Sequence, residues 1–508
     1  MSERLPDEML LDLSEYLTEH TGLYFPSKRW DDLQRGLEYT AQDLNMKSAA
    51  DCARWIRTSN LSKTQVESLA AHLTVGETYF FREPRSWEVL EQSILPELIA
   101  RRGAETKRLR IWSAACSSGE EPYTFAILLS RLIPDLADWN VTILATDINP
   151  KALKKASEGV YGQWSFRETP DWIRERHFDR TGERDWTVRP EIKKLVDFTY
   201  LNLAKDPYPS LETNTNAMDI VLCRNVLMYF TAERARRVIE QLNLSLIEGG
   251  CLFVGPNEAP HSLSVDLTLA DFPGVFVFRK STGAPPLNGA SAEPATVPIP
   301  ERLFDLSSAA AEVASINAHR ESREEGSFPE TKPAAELSAR AHKLYQLGLL
   351  ETAEQMARRA LEENGDEVVL VLLARICADQ GRLDDALSWC ERAIRADKLN
   401  PSNRYLNAVI LDEIGDAASS IKSLHQALYL DSTHVLANYA LATALRRSGN
   451  ETASIVYFNN ALTLLGRYKS DEAPPDSAGI TAGRMAMMIR SAMPSNILQE
   501  PDSGGRDV

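Results

Sequence analysis

Apolar positions change their spacing along this chain. Up to about residue 75 they recur at helical intervals: Met9, Leu10, Leu13, Tyr16 and Leu17, then Leu33, Leu37, Tyr39 and Leu44. This predicts an all-helical subdomain over 1–75. From 76 to 281 short apolar runs alternate with helical patterns. Leu109–Trp112, Val141–Ala145 and Met218–Cys223 predict strands, and Tyr123–Leu132 predicts a helix between the first two. Strand, helix, strand is the order of a doubly wound, Rossmann-like α/β half. Residues 164–197 interrupt that rhythm, with a turn signal at Thr181-Gly182-Glu183-Arg184-Asp185.

Beyond Ser281 the pattern stops. Residues 282–332 are rich in Pro, Gly, Ala and Ser and predict a linker, with one short helix over Arg302–Ile316. Then glycines fall at 348, 381, 415 and 449, in steps of 33, 34 and 34. Twelve residues after each stands an alanine: Ala360, Ala393, Ala427 and Ala461. Five after each stands a small residue: Ala353, Ala386, Ser420 and Ser454. This period predicts about four tetratricopeptide repeats over 333–467, all α, in which glycine ends the first helix and small residues let the pair approach. Residues 468–508 predict a flexible tail, with a short helix near Met485–Ile489.

The first strand ends in Ser113-Ala114-Ala115-Cys116-Ser117-Ser118-Gly119, followed by Glu120 and Glu121. A dinucleotide site offers several glycines and no acid, because pyrophosphate needs bare amides at a helix start. One glycine followed by two carboxylates suits a cationic ligand without phosphate. S-adenosyl-L-methionine, with its sulfonium, ammonium and ribose, is such a ligand. Asp147, at the end of the next strand, stands where a carboxylate accepts ribose hydroxyls. On this segment alone, an ordinary turn with two capping acids remains the other, less favoured reading.

The length of 508 residues predicts two or three domains. A formal charge of −16 argues against broad nucleic-acid binding. Six scattered cysteines form no CxxC pair, which predicts buried thiols and neither a disulfide framework nor a metal site. No secretory signal or membrane-spanning run is visible, so the expected compartment is the cytoplasm, without direct membrane insertion.

Five long, irregular stretches now carry a resemblance: ETYFFREP (77–84), IWSAACSSGEEPYTFA (111–126), ATDINPKALKKASEGVY (145–161), FTYLNL (198–203) and DIVLCRNVLMYF (219–230). Together they resemble the CheR family of chemoreceptor glutamate O-methyltransferases, over about residues 10–280. The resemblance implies a class I methyltransferase domain over 76–281, with a small antiparallel β-insertion at about 164–197. In some members that insertion docks a receptor peptide by strand addition; a solvated insertion is the other reading here. It implies S-adenosylmethionine as cofactor, bound by Gly76, Thr78, Arg82, Gly119, Glu121, Asp147, Asn202, Leu203, Arg224, Asn225 and Val226. Arg82 and Tyr229 take the roles nearest the chemistry, by orienting the incoming glutamate. Gly76 departs from the family, which usually has asparagine there, so one cofactor hydrogen bond is missing or is made by water.

The implied acceptor is the cytoplasmic domain of a methyl-accepting chemotaxis receptor, with a further protein partner in the repeat groove. Two competing readings are a repeat scaffold carrying a cofactor-sensing or inactive domain, and a methyltransferase for RNA or a small molecule. The retained Arg82, Asp147, Asn225 and Tyr229 weigh against the first. The acidic balance and the N-terminal helices weigh against the second.

Overall fold

The computed structural model describes residues 4–280 and 333–493, apart from 59–64, 66–68, 70, 75, 257, 259–266, 347, 364–366 and 478–479. The linker over 282–332, with its predicted helix at Arg302–Ile316, and residues 494–508 of the tail lie outside the described residues.

Three helices, α1 (Asp7–Thr21), α2 (Trp30–Asp43) and α3 (Ala49–Thr58), form the N-terminal subdomain. Leu10, Leu13, Leu17, Leu33 and Leu37 are buried in its core, as their spacing predicts. Tyr39 and Leu44 instead face out, 58% and 42% exposed. The buried stripe of α2 runs Leu33, Gly36, Leu37, Thr40, Ala41. Tyr39 lies off that stripe and Leu44 is past the helix end.

The second unit is built on strands β1 (Arg108–Ala114), β2 (Asn140–Asp147), β6 (Val196–Tyr200), β7 (Met218–Cys223), β8 (Leu246–Val254), β9 (Leu267–Ala270) and β10 (Phe276–Lys280). They form one sheet in the order β6-β2-β1-β7-β8-β10-β9. The first five run parallel, and β10 is antiparallel to both β8 and β9. Every residue of β1 and β7 is buried, because helices cover both faces. Successive residues of β1 serve opposite layers. Ile111 joins the core that holds Phe125 and Leu128 of the helix Glu120–Leu132. Trp112 joins Val238, Ile239 and Leu242 of the helix Ala232–Ser245. The chain leaves β1 toward β2 on one side and returns as β7 on the other. That reversal opens a crevice at the C-terminal ends of β1, β2 and β7.

The small strands β3 (Val160–Gly162), β4 (Phe178–Arg180) and β5 (Asp185–Val188) form a separate antiparallel sheet in the order β3-β5-β4. The turn predicted at 181–185 closes its β4–β5 hairpin, Thr181 N–H donating to Asp185 O at 3.0 Å. The insertion begins before residue 164, and Val196 already belongs to the main sheet.

Four helix pairs follow: Pro333–Gln346 with Leu350–Glu362, Glu367–Asp379 with Leu383–Ala396, Pro401–Ile414 with Ala417–Leu430, and Val435–Arg447 with Glu451–Leu465. Gly348, Gly381, Gly415 and Gly449 sit between the two helices of each pair with φ between +75° and +95°, a conformation that glycine adopts without cost. Ala353, Ala360, Ala386, Ala393, Ala427, Ala461, Ser420 and Ser454 are all buried between helices. Two inner polar groups join the first two repeats: Tyr345 Oη donates to Asp379 Oδ2 at 2.7 Å. Burial pushes the Asp379 carboxyl up to about 8, and its Oδ1 has no hydrogen-bond partner among the described residues. A folded pKa raised above the unfolded value means stability that is full below about pH 4 and lost as pH rises toward 8. Denaturant unfolding at pH 5 and pH 8 should therefore show wild type losing stability relative to Asp379→Asn.

The repeats do not stand apart, and the tail is not free through residue 493. A helix at Ala482–Ala492 packs against β6 and the helix Pro150–Glu158. It brings Arg484 onto Asp206. Arg108 of β1 donates to Glu413 of the third repeat at 3.0 Å, and both side chains are under 9% exposed. Arg446 of the fourth repeat pairs with Asp197 at 2.9 Å.

Candidate active site

The crevice holds two adjoining cavities. One, of about 80 Å³, is lined by Asp147, Ile148, Leu203, Val226 and Phe230 and closed by Leu23, Phe25 and Arg29 of the N-terminal subdomain. The other, of about 320 Å³, is lined by Thr78, Arg82, Glu121, Arg224 and Met228. Ala115, Ser117, Asn225 and Tyr229 line both. Ala115, Ser117 and Asn225 all have positive φ, as does Glu83 beside them. Non-glycine residues hold such backbones only where surrounding contacts over-determine them, and they gather at functional sites.

The contacts here are traceable. Asp147 ends β2 and is buried; its two oxygens each accept a backbone N–H, from Ser117 and Asn149, both at 2.8 Å. Burial raises its pKa, and those amides pull the other way. A carboxylate has about four acceptor positions, so these amides leave capacity for a hydroxyl group. Glu258 accepts from the N–H groups of Asn225, Leu227 and Gly255 at 2.7–2.8 Å and holds the β7 loop in shape. Arg224 bridges Glu121 at 3.1 Å and Glu83 at 2.8 Å, and donates to Arg82 O at 2.9 Å. Its buried Nε has no hydrogen-bond partner among the described residues. Burial raises Glu121, which Arg224 opposes. Burial likewise pushes Glu83 upward, but Arg224 and Asn225 outweigh it and the net shift is down.

Arg82 is half-buried, and its guanidinium donates to Glu77 O. Tyr229 lies across the mouth, with the Arg29 guanidinium 4.8 Å from its ring centre. Burial raises the Tyr229 phenol, so it stays protonated. Trp87 donates its indole N–H to Arg82 O at 2.9 Å, fixing the backbone beneath the guanidinium.

The structure thus gathers Gly76, Thr78, Arg82, Glu121, Asp147, Asn202, Leu203, Arg224, Asn225, Val226 and Tyr229 around one crevice. Gly119 is the exception. It lines neither cavity. Its φ of +92° makes the turn, and a Cβ there would stand 2.8 Å from Ala156 Cβ and 3.0 Å from the Tyr161 hydroxyl. The close approach it permits is to protein. Glu120 also departs: it is buried away from the cavities, accepting from Ser118 Oγ at 2.7 Å and Ser165 Oγ at 3.0 Å. Of the two acids after the glycine, only Glu121 faces the crevice. Asn202 lines it but spends its amide N–H on Thr21 O at 3.1 Å, tying the N-terminal subdomain in place. A side chain added at Gly76 would meet Ser117 Oγ at 3.2 Å.

Four further residues were not anticipated. Arg29 and Phe25 come from a loop with no motif of its own. Ser117 and Glu83 lie inside quoted stretches, where their positive φ carried no readable signal.

The comparisons with known proteins agree with this geometry. Residues 76–270 match the family model described as CheR methyltransferase, SAM binding domain, and 338–401 match a tetratricopeptide repeat model. Chemotaxis protein methyltransferase 1 of Pseudomonas aeruginosa is 35% identical over 257 residues, covering 49% of this chain and 89% of that protein. The chain belongs to the CheR family of methyltransferases. Probable biofilm formation methyltransferase WspC, also of Pseudomonas aeruginosa, is 30% identical over 400 residues, covering 79% of this chain and 86% of that protein. Chemotaxis protein methyltransferase 2 of Vibrio cholerae is 30% identical over 269 residues, 53% of this chain and 89% of that protein. The match to WspC extends past the methyltransferase domain and into the repeats. The enzyme is therefore a CheR-type, S-adenosylmethionine-dependent methyltransferase joined to tetratricopeptide repeats. No described helix is long and apolar enough to cross a membrane.

Proposed function

We propose that this enzyme esterifies glutamate side chains on the cytoplasmic domain of a methyl-accepting chemotaxis-type receptor. The observation that carries the reading is the pair of cavities sharing Ala115, Ser117, Asn225 and Tyr229. The smaller offers Asp147 to a ribose and apolar walls to an adenine. The larger offers Arg82 and Tyr229 to a carboxylate. When bound, S-adenosylmethionine supplies an electrophilic methyl group on a sulfonium. A glutamate, with a pKa of about 4.3, arrives already ionised, so no base is needed. The site would have no proton to move and would only need to bring a carboxylate oxygen onto the line of that methyl group. The protein's contribution is alignment and exclusion of water.

Arg82 is placed to fork onto the incoming carboxylate, and the neutral Tyr229 phenol to donate to it. Glu121, Arg224, Thr78, Asn225 and Gly76 surround the amino-acid end of the cofactor. Leu203, Val226 and Asn202 wall the nucleoside. The division into an N-terminal subdomain over 1–75, a catalytic domain over 76–281 and repeats over 333–467 follows the same reading. A receptor of this class places the enzyme in the cytoplasm. The test is incubation of the full chain with methyl-labelled cofactor and candidate receptor cytoplasmic domains. Label on the receptor that mild base releases is the expected result; base-stable label, or none on any receptor domain, would refute it.

A further inference from the structure

The repeats present their first helices to the methyltransferase domain, and something is already seated there. The segment Ser210–Asn216, between β6 and β7, reaches onto that face. Leu211 is buried among Ala374, Ala378, Leu406 and Ile410 of the repeats. Glu212, with its side chain 2% exposed, pairs with Arg375 of the second repeat. Asn216 Nδ2 donates to Glu413 Oε1 at 3.0 Å.

From behind, Arg110 of β1 braces the segment, donating to Asn214 Oδ1 at 2.6 Å and to Asn216 O at 3.1 Å. Within it, Ser210 Oγ donates to Glu212 Oε2 at 2.8 Å. A tight turn over Leu211–Asn214, closed by Asn214 N–H to Leu211 O at 3.1 Å, presents one aliphatic and one acidic anchor rigidly to the inner face of the repeat array, as a bound peptide turn would. A half-buried arginine facing that groove selects a carboxylate.

We propose that the inner groove of the repeats holds its ligand in cis: the segment Ser210–Asn216, anchored by Leu211 and Glu212. The repeats are then a closed clamp on the catalytic domain, and an outside acidic segment gains the groove only by displacing the resident one. The apparent affinity of such a partner is reduced by the fraction of time the groove is closed. This does not depend on the acceptor proposed above, because the test reads no methyl transfer.

All six native cysteines are buried, so spin labels can be placed at the exposed Lys47 and Arg395 through Lys47→Cys and Arg395→Cys. Wild type should give one narrow distance distribution. Glu212→Lys and Arg375→Glu should each broaden it toward longer distances, with helical content by circular dichroism unchanged, and the two together should narrow it again. A labelled peptide of residues 208–217 should bind the Glu212→Lys chain at least tenfold more tightly than wild type. Narrow distributions in both single variants, failure of the double reversal to restore one, or equal peptide binding to wild type and variant would overturn the proposal.

Discussion

Arg82→Ala should lower methyl transfer by about a hundredfold while S-adenosylmethionine binding stays measurable. Arg82 lines only the larger cavity, whereas Asp147 and the nucleoside wall belong to the smaller one. Removing the guanidinium therefore takes away the group that holds the acceptor carboxylate and leaves the groups that hold the nucleoside. The backbone of Arg82 keeps its roles, since its carbonyl still accepts from Trp87 and Arg224. The loss should fall mainly on turnover under saturating cofactor, measured by initial rates of base-labile label beside calorimetric titration of the cofactor. Unchanged turnover would remove Arg82 from its role.

Glu413→Ala should destabilise the protein by about 3–5 kcal/mol, the usual result of leaving one member of a buried ion pair alone. Glu413 accepts from Arg108 on one oxygen and Asn216 on the other. Arg108 is buried beside Arg110, and burial already lowers its pKa to about 10. Without Glu413 that charge loses its ion-pair partner. Thermal or denaturant unfolding of full-length wild type and variant measures the difference; a change below about 1 kcal/mol, the range of exposed pairs, would mean the interface is open to water. The same geometry changes what truncation at residue 333 should do. A linker over 282–332 would by itself leave the catalytic domain independent of the repeats. With Leu211, Glu212, Arg108 and Asp197 all covered by the repeats, the shortened chain should instead lose folded yield, as its soluble fraction would report.

Local signals were legible where one segment decides its own conformation. β7 falls on Met218–Cys223 as read, and β1 and β2 extend the predicted runs by one residue at the start and two at the end. The turn at Gly119 and the phase of the four repeat glycines needed only backbone sterics. What could not be read was which side of a local element faces which neighbour. Glu120 and Glu121 look alike in sequence, yet one turns to Ser165 and the other to Arg224. Gly119 has Ala156 and Tyr161 packed where a Cβ would stand, a contact its own segment does not announce. Tyr39 matched a helical spacing and still missed the buried stripe. The docking of the repeats was invisible because its pairs join residues hundreds of positions apart, with the intervening linker reading as a tether. Arg29 reached the site in the same way, through the packing of one subdomain on another.

The crevice at the C-terminal ends of β1, β2 and β7 should bind the cofactor with Asp147 as its ribose acceptor. Titration of S-adenosylhomocysteine into wild type and Asp147→Asn by calorimetry tests it most directly. Losing a charged acceptor costs about 1.5–3 kcal/mol, so the dissociation constant should rise by about ten- to a hundredfold. An unchanged dissociation constant would contradict the account.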